Sequence, residues 1–64
     1  MIDGYCCTHI DKYKKEEWPT VFVAVPREGD FVKSKRGVIL KVYVVTHTTN
    51  KNYKNMPIIK VELG

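Results

Sequence analysis

A chain of 64 residues, 44% apolar and 28% charged, describes one ordered domain over residues 1–64 and excludes a disordered tail. No apolar run approaches the roughly 20 residues that cross a bilayer, so no membrane partner is expected. The net charge of +4 is uneven: residues 1–32 carry four basic and six acidic side chains, residues 33–64 seven basic and one acidic, an asymmetry that hints at a polyanionic partner.

A domain this short buries only about 60% of the surface its unfolded chain exposes, and such domains often lean on a metal, a disulfide or a partner chain. The opening stretch MIDGYCCTHIDKYKK lacks a basic segment followed by an apolar one. A cytoplasmic location follows, with Cys6 and Cys7 reduced.

In chain order, Ile2 to Ile10 fits a first strand, because Tyr5, Cys6, Cys7, Thr8 and Ile10 suit a pleated, half-buried surface. The charged run 11–17 is either one short helical turn with Asp11 as its cap or a polar loop. Pro19 leads into a strand over Thr20 to Val25, in which Val21, Val23 and Val25 face one way and Phe22 and Ala24 the other. Apolar side chains on both faces place it in a doubly covered position, or against another subunit.

Pro26-Arg27-Glu28-Gly29-Asp30 is the strongest turn signal. Gly29 suits the positive φ that a type II turn requires at its third position, and Asp30 can bond back to a nearby amide. Phe31 to Lys33 resumes extended structure, and Ser34-Lys35-Arg36-Gly37 turns again. Val38 to His47 is then the longest strand, with Val38, Leu40, Val42 and Val44 on its apolar face. Ten residues is long, so a bulge near Val44 and Val45 is expected. Residues 48–55 fit a polar loop. Met56 to Leu63 closes the chain with Ile59, Val61 and Leu63 alternating against Lys60 and Glu62.

Short strands with turn signals between them predict an all-β fold, a small antiparallel barrel or roll of about five strands. Closure would hide the edges that an open sheet leaves free. The expected core is Val21, Val23, Val25, Val32, Leu40, Val42, Val44, Ile59, Val61 and Leu63. The string VPREGDFVKSKRGVILKVYVVTH, followed by a polar loop and PIIKVEL, resembles a group of small uncharacterised bacterial and mobile-element proteins that are similar to SH3-like barrels. The likeness covers roughly the last two-thirds of the chain. It implies the SH3-like fold and transfers no substrate, cofactor or catalytic residue.

Chemistry-bearing residues are sparse. Cys6 and Cys7 are neighbours on a strand, so their thiols point apart and match no Cys-x-x-Cys spacing. Cys7 and His9 share a face, and with His47 they would offer zinc three ligands and an open fourth position. No second close-spaced pair accompanies them, so no metal and no cofactor is expected. His47, at the mouth of the polar loop, has no nucleophile or carboxylate placed by motif to partner it. Arg27 and Asp30 fit turn chemistry with a surface ion pair, and Glu16, Glu17 and Glu28 show no acid–base spacing. No phosphate-binding glycine loop or nucleophile elbow is present. An enzyme, zinc-dependent or other, ranks third.

Two binding surfaces remain. Trp18, Phe22 and Tyr43 are candidate partner-binding residues for another protein or a second copy, suited to a non-catalytic interaction or self-association module. The alternative is nucleic acid, held by basic turns 33–36 and 51–54: Lys33, Lys35, Arg36, Lys51 and Lys54 for phosphates, with Tyr53 for stacking.

Overall fold

The alternation of β-branched and aromatic residues carries through to five strands in the computed structural model, which describes residues 1–50, 52 and 56–64. They are β1 (Ile2–Thr8), β2 (Val21–Phe22), β3 (Phe31–Lys33), β4 (Ile39–Asn50) and β5 (Met56–Leu63). They form one sheet in the order β2-β1-β5-β4-β3, curled into a half-barrel consistent with a small SH3-like barrel. Three of the pairings are antiparallel, as expected; β1 instead runs parallel to β5. A parallel pair needs a long connection, and nearly the whole chain lies between these two strands. The linear order leaves β2 and β3 as edges, so closure stops at the half-barrel.

β5 is the centre of the core. Its alternate residues Ile59, Val61 and Leu63 are buried, together with Val32, Leu40 and Val42. Residues directly opposite across a ladder share a face. Gly4, Cys6 and Thr8 of β1 therefore join the inner face opposite Ile59, Val61 and Leu63. On β4, Val42 stands opposite Leu63, and Val45 opposite Val61. The loop between β1 and β2 covers this concave face with Ile10, Tyr13 and Trp18. Within it, Asp11–Tyr13 is a single 3₁₀ turn. Ile10, not Asp11, sits at its cap, and Asp11 instead pairs with Lys14 at 2.9 Å.

Several expectations for the core are overturned. Val21, Val23 and Val25 are exposed, Val23 to 91%, whereas Phe22 packs on the core. The register explains Val21: Phe22 pairs with Ile2 on the inner face and Val21 with Asp3, which turns Val21 outward. β1 begins at Ile2, so the chain after Phe22 has no strand to pair with and bends away. Val44 is only half-buried and lies on the outer face opposite Glu62. The cause is the bulge, which inserts Tyr43 between Val42 and Val44 and reverses the parity of β4. Val45 takes the inner place that Val44 would have held. β4 also continues past His47 through Thr48, Thr49 and Asn50, which pair with Ile58, Pro57 and Met56. Threonine is a good strand former, and here it extends a strand that polarity alone assigns to a loop.

Candidate functional site

The exposed edge of β3 is built by two turns. In the first, Asp30 N–H donates to the Arg27 carbonyl at 3.0 Å and Gly29 has φ +93°, the geometry of a type II turn. The Asp30 carboxylate accepts from Arg27 N–H at 2.9 Å, and Gly29 N–H donates to the Val42 carbonyl at 2.8 Å. In the second, Gly37 N–H donates to the Ser34 carbonyl at 3.0 Å, with Gly37 at φ +98° closing a three-residue hairpin loop. Buried Ser34 ties this loop to the rest of the domain: its Oγ donates to Glu16 at 2.9 Å and accepts from Val38 N–H at 3.0 Å.

The ladder between these turns fixes which backbone groups face outward. Ser34 N–H donates to Val38 O, and Val42 N–H donates to Asp30 O, both at 2.7 Å. Bonded and non-bonded pairs alternate along an antiparallel ladder. Val32 therefore bonds to Leu40, while the N–H and C=O groups of Phe31 and Lys33 point to the free side. Lys35 N–H, next in that outward series, is already taken by the Glu17 carbonyl at 3.0 Å. The open run is Phe31 to Lys33.

The side chains beside this run are unusual for a surface. Phe31 is 70% exposed and Ile39 58% exposed. Phe31 stands opposite Lys41, and Lys33 opposite Ile39, so apolar and cationic side chains form a checkerboard on the outer face. Along the edge, a shallow groove of about 730 Å³ separates residues 29–33 from segment 21–26, which brings Val23 and Val25 to its far wall. Among the described residues, neither Lys33 nor Lys41 forms an ion pair.

The residues singled out in the sequence are distributed differently. Trp18 is half-buried, with its indole N–H donating to the Tyr13 carbonyl at 3.3 Å, and it packs with Phe22 against the core. Tyr43, the bulge residue, meets His9 edge-on, ring centres 6.0 Å apart, with its hydroxyl 3.2 Å from His9 Nδ1. Lys35 lies 3.7 Å from Glu17, and Arg36 3.4 Å from Glu16. Lys51, Tyr53 and Lys54 lie outside the described residues. Cys7, opposite Glu62, is on the outer face, whereas His47, opposite Ile59, is on the inner one. The sheet thus separates the two. Cys6 is on the inner face, and its thiol donates to the Pro19 carbonyl at 3.5 Å. Burial, with the adjacent Cys7 adding to it, pushes its pKa up to about 11. It stays protonated at neutral pH and is a poor nucleophile.

The sequence places Ile39 and Lys41 on the mixed face of the long strand, and both are exposed, but it does not single out either of them, or Phe31, as part of a binding surface. One signal was present: Phe31 and Val32 are adjacent apolar residues on a strand, so one of them must face away from a single core. Among the described residues no helix is long and apolar enough to cross a membrane. No protein-family model, curated protein or solved structure matches the chain.

Proposed function

We propose that this chain is a non-catalytic protein-interaction module that takes an extended polypeptide strand along the free edge of β3. The observation that carries this reading is the outward-facing backbone of Phe31 and Lys33, flanked by exposed Phe31, Ile39 and Val23. Strand addition of this kind draws affinity from main-chain hydrogen bonds and specificity from alternate side chains. Native edges are ordinarily blunted by proline, inward charges or covering segments. β3 carries Lys33 and is short, yet an aromatic ring and an aliphatic side chain remain in the open beside it. The nucleic-acid reading has less support, because Glu16 and Glu17 sit against Arg36 and Lys35 and offset the charge of the basic tip.

A displayed library of random heptapeptides tests the proposal. Selection on the wild-type chain is expected to enrich sequences with alternating apolar residues. Phe31→Pro removes an outward-facing N–H and no ladder bond, so it is tolerated at an edge and abolishes that enrichment. Equal enrichment on Phe31→Pro, with an unchanged circular dichroism spectrum, contradicts strand addition at β3.

A further inference from the structure

We infer that the strand taken up at this edge is β3 of a second copy of the chain, forming a two-fold antiparallel dimer centred on Val32. The inference rests on the strand-addition reading above and adds the partner and its register.

Self-complementarity gives the first argument. The open edge carries an exposed aromatic ring, Phe31, and an exposed cation, Lys33, two positions apart, so the same edge in antiparallel orientation sets each beside its complement.

Register gives the second. An antiparallel strand pair with two-fold symmetry can be centred on Phe31, Val32 or Lys33. Centring on Phe31 would oppose Lys33 to Gly29, whose N–H is already bonded to Val42. Centring on Lys33 would oppose the two lysines directly, a destabilising pair. It would also oppose Phe31 to Lys35, whose N–H is bonded to Glu17. Centring on Val32 opposes Phe31 to the partner's Lys33, and Lys33 to the partner's Phe31. Each of these pairs exchanges both of its free N–H and C=O groups. The ammonium of Lys33 then lies beside an aromatic ring instead of another cation. This register alone uses every open group of the edge without setting like charges directly opposite each other.

Sedimentation equilibrium across a range of concentrations, with charge variants at position 31, tests the inference. Phe31 is exposed, so these substitutions leave the core intact, and circular dichroism checks that each variant is folded. The wild-type chain is expected to reach twice its 7.4 kDa mass at high micromolar concentration. Phe31→Lys opposes lysine to the partner's Lys33 and is expected to weaken the dimer at least about tenfold. Phe31→Glu opposes a carboxylate to the partner's Lys33 and keeps the dimer, with affinity falling as salt rises. The double variant Phe31→Lys with Lys33→Glu restores it. Equal losses in Phe31→Lys and Phe31→Glu would indicate nonspecific apolar contact and overturn the register. A wild-type chain that stays monomeric overturns the dimer itself. The strand-addition reading then stands or falls separately, on whether heptapeptide enrichment depends on Phe31→Pro.

Discussion

Leu63→Ala is expected to lower the thermal midpoint by about 10–40 °C, or to leave the chain largely unfolded at room temperature. Leu63 has no exposed surface and sits on the central strand, opposite Thr8 of β1 and Val42 of β4. Truncating such a leucine costs about 2–5 kcal/mol, the lost transfer energy plus the cavity left behind. A domain of this length holds only about 3–10 kcal/mol in total, and each kcal/mol shifts the midpoint of so small a domain by about 4–8 °C. Among the described residues the core has six buried apolar side chains, so few neighbours can collapse into the gap. Ile39→Ala, on the exposed face, is the control and should cost within about 0.5 kcal/mol. Circular dichroism melts at low concentration keep association from adding its own stabilisation. A fall of only a few degrees for Leu63→Ala would contradict this placement of the core.

Gly4→Ala is expected to be damaging as well, at about 1–3 kcal/mol or a midpoint fall of about 4–24 °C. In a strand, alanine in place of glycine gains about 0.5–1 kcal/mol of backbone entropy, so intrinsic preference points the other way. Packing decides the sign. A Cβ on Gly4 would lie 2.6 Å from Ile59 Cγ1, 2.8 Å from the Ile59 carbonyl oxygen and 3.0 Å from Phe22 Cε2. The carbonyl belongs to the β5 backbone and cannot rotate aside, so β1 must part from β5 or Phe22 must lift off the core. The same melts check this, and an unchanged or raised midpoint would show that β1 is not seated so closely on β5.

How much of this could be read in the sequence depends on the kind of interaction. The strict alternation of Ile59, Val61 and Leu63 identified the core face of β5, because one strand with one buried face leaves a period of two. The Arg27–Asp30 turn was legible because Gly29 and Asp30 act locally. The long strand and its bulge were legible too, but not the effect of the bulge: inserting Tyr43 exchanges Val44 for Val45 on the inner face. Val21, Val23 and Val25 misled for a related reason. The pairing of Phe22 with Ile2 turns Val21 outward, and the strand ends at Phe22, so no alternation carries Val23 and Val25 to the core. Gly4 carried no local signal, since its requirement comes from Ile59 and Phe22, far away in sequence. The candidate site was the least legible part. An edge is a property of the sheet order, so Phe31 to Lys33 reads as an ordinary short strand until β3 is seen at the end of the sheet.

Residue-resolved amide hydrogen exchange along β3, measured by NMR first in dilute and then in concentrated solution, separates an open edge from a closed one. An open half-barrel with β3 at its rim predicts that Val32 N–H, bonded to β4, is protected in dilute solution while Phe31 and Lys33 exchange freely, and that both slow as the concentration rises. Protection of Phe31 and Lys33 in dilute solution would mean that the sheet closes on this edge and that β3 offers no place for an added strand.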